Sequence, residues 1–216
     1  MKKLLLILNS AVLACTVHGT TIVYDNFGPG DTYDPMFGYG IGNTNDSVLR
    51  SQAMQFTAGV SGDLATVELG LTFEDTPVPV EVFLYADASN SPTGTGTLLG
   101  MVTPTAMFQT TNNSIVSLNV AGMVPVSLGT NYWLALMPTS PLKDSWQQTL
   151  PPVAGEVATS TDDGMTWSPD LNTLAAFRIT ANVAGVPEPA TWAVSLLVTG
   201  TILISIWRKR ASGFIH

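Results

Sequence analysis

From residue 65 to residue 73 the chain alternates strictly. Ala65, Val67, Leu69, Leu71 and Phe73 are apolar, and Thr66, Glu68, Gly70 and Thr72 stand between them. A period of two places one set of side chains on one face of an extended strand, the pattern of a strand half-buried against a core. The period recurs at Val80, Val82 and Leu84, at Val116, Leu118 and Val120, at Tyr132, Leu134 and Leu136, and at Ala175, Phe177 and Ile179. Weaker strand candidates cover residues 21–24, 52–56, 98–102 and 164–167. Turn formers break the runs at Gly28-Pro29-Gly30, Ser61-Gly62-Asp63, Ser89-Asn90-Ser91-Pro92, Thr111-Asn112-Asn113 and Thr161-Asp162-Asp163-Gly164. No amphipathic helical period interrupts them. Short strands joined by polar turns predict an all-β domain, a β-sandwich or jelly roll.

Both ends of the chain differ from this middle. Residues 1–19 read as a secretory signal peptide: Lys2 and Lys3 lead an apolar stretch, and Val17-His18-Gly19 offers a cleavage site before Thr20. Cleavage after Ala14 competes with it, and Val12-Leu13-Ala14-Cys15 resembles a lipobox with Leu13 atypical. Residues 190–207 form an uncharged run whose length, at ~1.5 Å per residue, matches one bilayer core of ~30 Å. Trp192 and Trp207 sit at its edges, and Arg208-Lys209-Arg210 follows at once. The positive-inside rule puts that basic tail, residues 208–216, in the cytoplasm and the preceding domain outside. A buried core helix is the competing reading, but three consecutive cations speak against it.

A linker, residues 183–189, ends in Val186-Pro187-Glu188-Pro189 just before this segment. Two prolines hold such a stretch extended and accessible to a protease. The combination of Pro-Glu-Pro, apolar helix and basic cluster over residues 186–211 resembles the PEP-CTERM sorting signal of Gram-negative bacteria. The resemblance implies recognition by an exosortase-type transpeptidase and removal of the helix. It also implies an inner-membrane intermediate with a periplasmic domain, then a place at the cell surface or in the extracellular matrix, among strains that make exopolysaccharide and biofilm.

Between residues 20 and 185 the only cations are Arg50, Lys143 and Arg178, set against fifteen acids, a net of −12. That balance argues against nucleic acid as a partner, since phosphate backbones need a basic surface. The same stretch holds neither His nor Cys, because His18, His216 and Cys15 all lie near the ends. Cys and His nucleophiles, His-dependent triads and most zinc sites are thereby excluded, as are disulfides. A glycosidase needs only two carboxylates. Fifteen acids make some such pair unavoidable, so its presence carries no diagnostic weight.

Several pieces of the middle resemble the choice-of-anchor R family of surface proteins. They are the segment from Tyr24 to Asp31 (Tyr-Asp-Asn-Phe-Gly-Pro-Gly-Asp), Gln55-Phe56-Thr57, Leu84-Tyr85-Ala86-Asp87, Gly129-Thr130-Asn131-Tyr132-Trp133-Leu134 and Ala176-Phe177-Arg178-Ile179. The resemblance spans residues 20–182 and implies a β-sandwich module without a known activity.

Two candidate sites remain. Asp25, Asn26, Asp31 and Asp34 crowd a Gly/Pro-rich segment expected to loop, and Asp162 and Asp163 form a second pair beside Gly164. Hard oxygen donors at such spacing suit Ca²⁺, the one cofactor considered, although neither segment has the EF-hand spacing. The competing role is turn formation, in which Asp and Asn bond their own backbone. Trp146 and Trp167, in contexts read as loops or strand edges, are candidate platforms for a sugar ring. Their competing role is core packing, the role expected of Trp133. The leading expectation is a structural or binding protein of the surface or matrix, not an enzyme, with matrix polysaccharide as a candidate partner. The alternatives are a secreted glycan-acting enzyme with a carboxylate pair, or a surface protein kept permanently on its membrane helix.

Overall fold

The computed structural model describes residues 18–43, 48–73, 79–102, 115–139 and 143–184. Residues 20–183 form one compact unit. The remaining residues, 1–19 and 184–216, lie almost wholly outside the described ones, and so do the expectations for the signal peptide's first seventeen residues, the Pro-Glu-Pro linker, the membrane helix and the basic tail.

The described residues form thirteen strands and no helix. They are β1 (His18–Asp25), β2 (Tyr33–Asn43), β3 (Leu49–Thr57), β4 (Gly62–Phe73), β5 (Val80–Asp87), β6 (Pro92–Val102), β7 (Ile115–Asn119), β8 (Pro125–Val126), β9 (Asn131–Pro138), β10 (Lys143–Thr149), β11 (Ala154–Ser160), β12 (Ser168–Thr173) and β13 (Phe177–Ala184). The all-β expectation holds. The strands pair antiparallel in one curled, half-barrel sheet of order β1-β13-β4-β10-β2-β3-β9-β5-β6. Off this path, β7 and β8 pair with β4, and β11 joins β3 and carries β12.

The curl runs through β4. Its first two thirds lie between β13 on one edge and β7 and β8 on the other, and its last residues pair instead with β10. Inward side chains then meet across the curl. Val67, Leu69 and Leu71 of β4 and Phe177 and Ile179 of β13 share one core with Met54 and Phe56 of β3, Val82 and Leu84 of β5, and Leu134 and Leu136 of β9. The alternation shifts at one place. The β4–β13 register skips Ala65 between Thr180 and Ala181, so Leu64 is buried where the period pointed to Ala65. Such a bulge inserts one residue and reverses the faces before it.

β9 departs from half-burial for another reason. Trp133, expected to pack, and Ala135, on the same alternate face, are as buried as Leu134 and Leu136. A second, smaller cluster of Ala53, Tyr85, Trp133, Ala135 and Ala158 covers that face, with Phe83 and Trp167 packed against it.

Three strands carried no apolar alternation. β2 is interrupted by Gly38, Gly40, Gly42 and Pro35, β10 reads Lys-Asp-Ser-Trp-Gln-Gln-Thr, and β11 is built of small residues. Residues 33–43, where no strand was expected, form β2, so Asp34 of the segment expected to loop stands on a strand. Gly38 explains how: a Cβ there would lie 2.3 Å from Ser145 Oγ and 2.8 Å from the Trp146 carbonyl oxygen, so only glycine lets β2 approach β10 this closely. Residues 164–167, a weak strand candidate, form part of a loop instead, and β12 begins at Ser168.

Candidate functional site

The acids of the β1–β2 connection do converge, but on a guanidinium. Arg178 projects from β13, and its Nε donates to Asp25 Oδ2 at 2.8 Å, its Nη1 to Glu68 Oε2 at 3.0 Å and its Nη2 to Asp31 Oδ1. The Phe27 ring lies 5.4 Å from the guanidinium carbon, within cation–π range. The Asp31 carboxylate, followed by that of Asp25, holds the Arg178 pKa above its ordinary value, against the opposing effect of burial. Asn26 serves the backbone: its Nδ2 donates to the Ala175 carbonyl at 2.8 Å and its Oδ1 accepts from the Phe177 amide at 2.7 Å. Asp34 Oδ1 accepts from the amides of Met36 and Phe37, the turn-forming role.

Asp162 is occupied in the same way. Its Oδ1 accepts from Ser160 Oγ and from the Thr166 amide, each at 2.8 Å, and its Oδ2 from Thr166 Oγ1 at 2.6 Å. These bonds, led by the Thr166 hydroxyl, pull its carboxyl below the usual carboxylate range. Asp163 takes a left-handed φ of 54° in the same turn. Among the described residues no group of three His, Cys, Asp or Glu is disposed to hold a metal ion. Asp25, Asn26, Asp31, Asp34 and Asp162 are thus engaged by Arg178, by the backbone and by hydroxyls.

Of the two expected sugar platforms, Trp146 is corrected outright. It sits on β10 with 0% exposure, donates Nε1 to the Ala176 carbonyl at 3.1 Å, and packs 5.7 Å from the Phe177 ring. Neither ring face reaches solvent. Trp167 is half-buried at the end of the Asp162 loop, edge-on to Tyr85 at 5.7 Å, with its Nε1 buried and unpartnered. It closes the second apolar cluster. Beneath that cluster Asp87 Oδ1 accepts from Trp133 Nε1 at 2.7 Å and from Gln55 Nε2 at 3.0 Å. Tyr85 itself lies flat over Gly96, where a Cβ would sit 2.5 Å from the ring, and burial raises its pKa.

One concavity among the described residues was not expected. β6 ends the sheet path, and near its C-terminal end it approaches the β7–β8 segment without a ladder: the Ala121 amide reaches the Leu99 carbonyl at 3.5 Å. Toward the other end of β6 a slot of about 520 Å³ opens. Leu84 and Ala86 of β5 line it, as do Thr93, Thr95 and Thr97 of β6. Met123, Val124 and Pro125 form the opposite wall, together with Tyr132. The Tyr132 ring is fixed at both ends, stacked 5.8 Å from Phe56 and accepting at its hydroxyl from the Ser127 amide at 3.1 Å. No hydrophobic period marks this slot, because it arises where two edges fail to meet. The one signal in the sequence is that no charged residue occurs between Asp87 and Lys143.

One catalytic spacing exists in the chain: Ser140 and Lys143 stand as Ser-x-x-Lys. Both side chains lie outside the described residues. No protein-family model matches this chain, and no curated protein matches it.

Proposed function

We propose that this chain is an exported protein of the cell surface or extracellular matrix, processed by an exosortase-type transpeptidase, with a structural or binding role. The observation that carries this reading is the ending Pro187-Glu188-Pro189, then the uncharged residues 190–207, then Arg208-Lys209-Arg210, on a chain that opens with a leader-like segment. An all-β, cysteine-free domain with a net of −12 between residues 20 and 185 suits such a destination. Dense like charge keeps an exported domain soluble. The finer fold reading is a β-sandwich of the choice-of-anchor type. Its support is the single core between the inward faces of β4 and β13 and those of β3, β5 and β9. Asp25, Asp31 and Glu68 are each engaged by the Arg178 guanidinium, an arrangement that suits a structural clasp better than a free acid–base pair.

The test is the intact mass of the protein recovered from its native envelope and culture matrix. A chain starting near Thr20 and ending near Pro187 supports the reading, and mass beyond that span reports an attached group. A mass that still includes residues 190–216 overturns processing and leaves a permanently anchored surface protein. Release of products from a labelled polysaccharide panel would instead favour the glycan-acting enzyme.

A further inference from the structure

We propose that the slot between β6 and the β7–β8 segment is a binding site for a neutral saccharide. This deepens the binding role proposed above and rests on it. The size suits the task, since small-molecule sites occupy roughly 300–1,000 Å³ and this one is about 520 Å³.

Its chemistry narrows the ligand. No charged side chain lines the slot, although the exported domain carries a net of −12. An anionic polymer would enter against that field with no cation to receive it. A cation would find no carboxylate. What the slot offers is hydroxyl groups and aromatic carbon. Thr93, Thr95 and Thr97 are exposed along one rail, and among the described residues their hydroxyls have no hydrogen-bond partner. Tyr132 presents a ring already held in place, with an apolar floor of Leu84, Ala86 and Val124 beside it. A pyranose has the matching pair of surfaces, an apolar C–H face and a rim of hydroxyls.

An extended peptide is the other ligand that an edge strand can take, by adding a strand. Here the β6 backbone argues against it. Between Leu84↔Thr97 and Ala86↔Thr93 the strand carries two surplus residues, and Gly94 has a left-handed φ of 73°. Bulges of this kind break the regular succession of N–H and C=O groups that strand addition needs. Recognition in the slot therefore falls to side chains.

The readout comes from Met123, which stands at the rim with 85% of its surface exposed. The full chain is prepared in detergent with ¹³C-labelled methionine methyls, and the Met123 resonance is assigned by its loss in Met123→Leu. Met36 and Met165 are equally exposed but outside the slot, and serve as internal controls of folding and non-specific effects. The probes are cellotetraose, maltotetraose and mannotetraose, with polygalacturonate and a Thr-Val repeat peptide beside them. The expected result is a saturating shift of Met123 with at least one neutral tetrasaccharide, and unmoved controls. Replacing Thr95 and Thr97 together by Val should weaken it roughly tenfold or more, the cost of about two hydrogen bonds. No Met123 shift with any neutral probe at millimolar concentration overturns the proposal. So does a shift produced only by polygalacturonate or only by the peptide. The mass measurement above can fail while Met123 responds, and the reverse, so the two readings are judged separately.

Discussion

Replacing Arg178 by Met keeps the length of the side chain and removes its charge, which isolates the clasp that the guanidinium makes. Three ion pairs and one ring contact are lost. The Arg178 side chain is 19% exposed, and Asp25, Asp31 and Glu68 are 27%, 54% and 29% exposed. Pairs so open to water are worth roughly 0.2–1 kcal/mol each. The contact with Phe27 adds about 0.5–1 kcal/mol. The stranded carboxylates repel one another but can hydrate, so the cost stays below the roughly 3–5 kcal/mol of breaking a fully buried pair. The total is about 2–3 kcal/mol. In a domain of this size each kcal/mol moves Tm by about 2–4 °C, so thermal unfolding followed by near-UV circular dichroism should fall by roughly 5–10 °C. Two companions check the cause. Asp31→Asn should cost less in the Arg178→Met background than in the native protein, because its partner has gone. Added Ca²⁺ should raise the Tm of Arg178→Met more than that of the native protein, since a divalent ion can take the place of the missing cation. A drop of less than about 1 °C, or an equal cost of Asp31→Asn in both backgrounds, would refute the account.

Three further outcomes follow from the same contacts. Trp146→Ala should cost about 3–5 kcal/mol by urea unfolding, as expected for a fully buried indole, whereas Trp167→Ala should cost distinctly less because that ring is half-buried and its N–H is unpaired. The Asp162 carboxyl is pulled down in the folded chain, so its contribution is present above the unfolded value of 3.8 and fades as pH falls through the lower folded value. Protection of the Thr166 amide against exchange, taken relative to its intrinsic rate at each pH, should fall in that acid range, and in Asp162→Asn it should be lower already at neutral pH. Tyr39, whose hydroxyl donates to the Thr173 carbonyl at 2.5 Å, has its pKa pushed up to about 12, chiefly by burial. The stability it contributes is complete below pH 10 and lost as pH rises toward 12, and a Tyr39→Phe variant should show a shallower alkaline decline of Tm.

The strands legible in the sequence were those with one face in the core. Val67, Leu69 and Leu71, or Val80, Val82 and Leu84, carry their burial in their spacing. The strands that stitch the curl together do not. β10 lies between β4 and β2, and its Gln147 is buried, with its amide oriented to donate to the Asp34 and Phe37 carbonyls and to accept from Thr72 Oγ1. A polar side chain satisfied by backbone looks, in sequence, like a loop. The partner of the acidic cluster was hidden for a related reason. Asp25 and Asp31 were recognisable as neighbours, but the guanidinium that both bond is 147 residues away from Asp31. The available hint was a lone arginine on a strand, in a domain with three cations among fifteen acids. The slot left only the charge-free run between Asp87 and Lys143 as a trace, since it is a property of two edges and not of either one.

Charge and topology are linked in this fold, and the link bears on how the domain would meet its surroundings. The stretch from β6 through β9 contains no charged residue, so every acid of the domain falls on β1–β5, on β10–β13 or on their connections. In space β6 ends the sheet path, while β7 and β8 branch from β4. Neutral β6 and the neutral segment Met123–Pro125, which leads into β8, therefore face each other at the slot. Two modes of engagement are separated by this arrangement. An acidic polysaccharide could be held only on the charged strands and only through divalent bridges, an interaction that chelator abolishes and salt weakens. A neutral saccharide in the slot makes its contacts through hydroxyls and ring faces, which neither chelator nor salt disturbs. Retention of the protein on a matrix that survives both treatments would locate the contact at the slot, and retention that both abolish would locate it on the acidic strands.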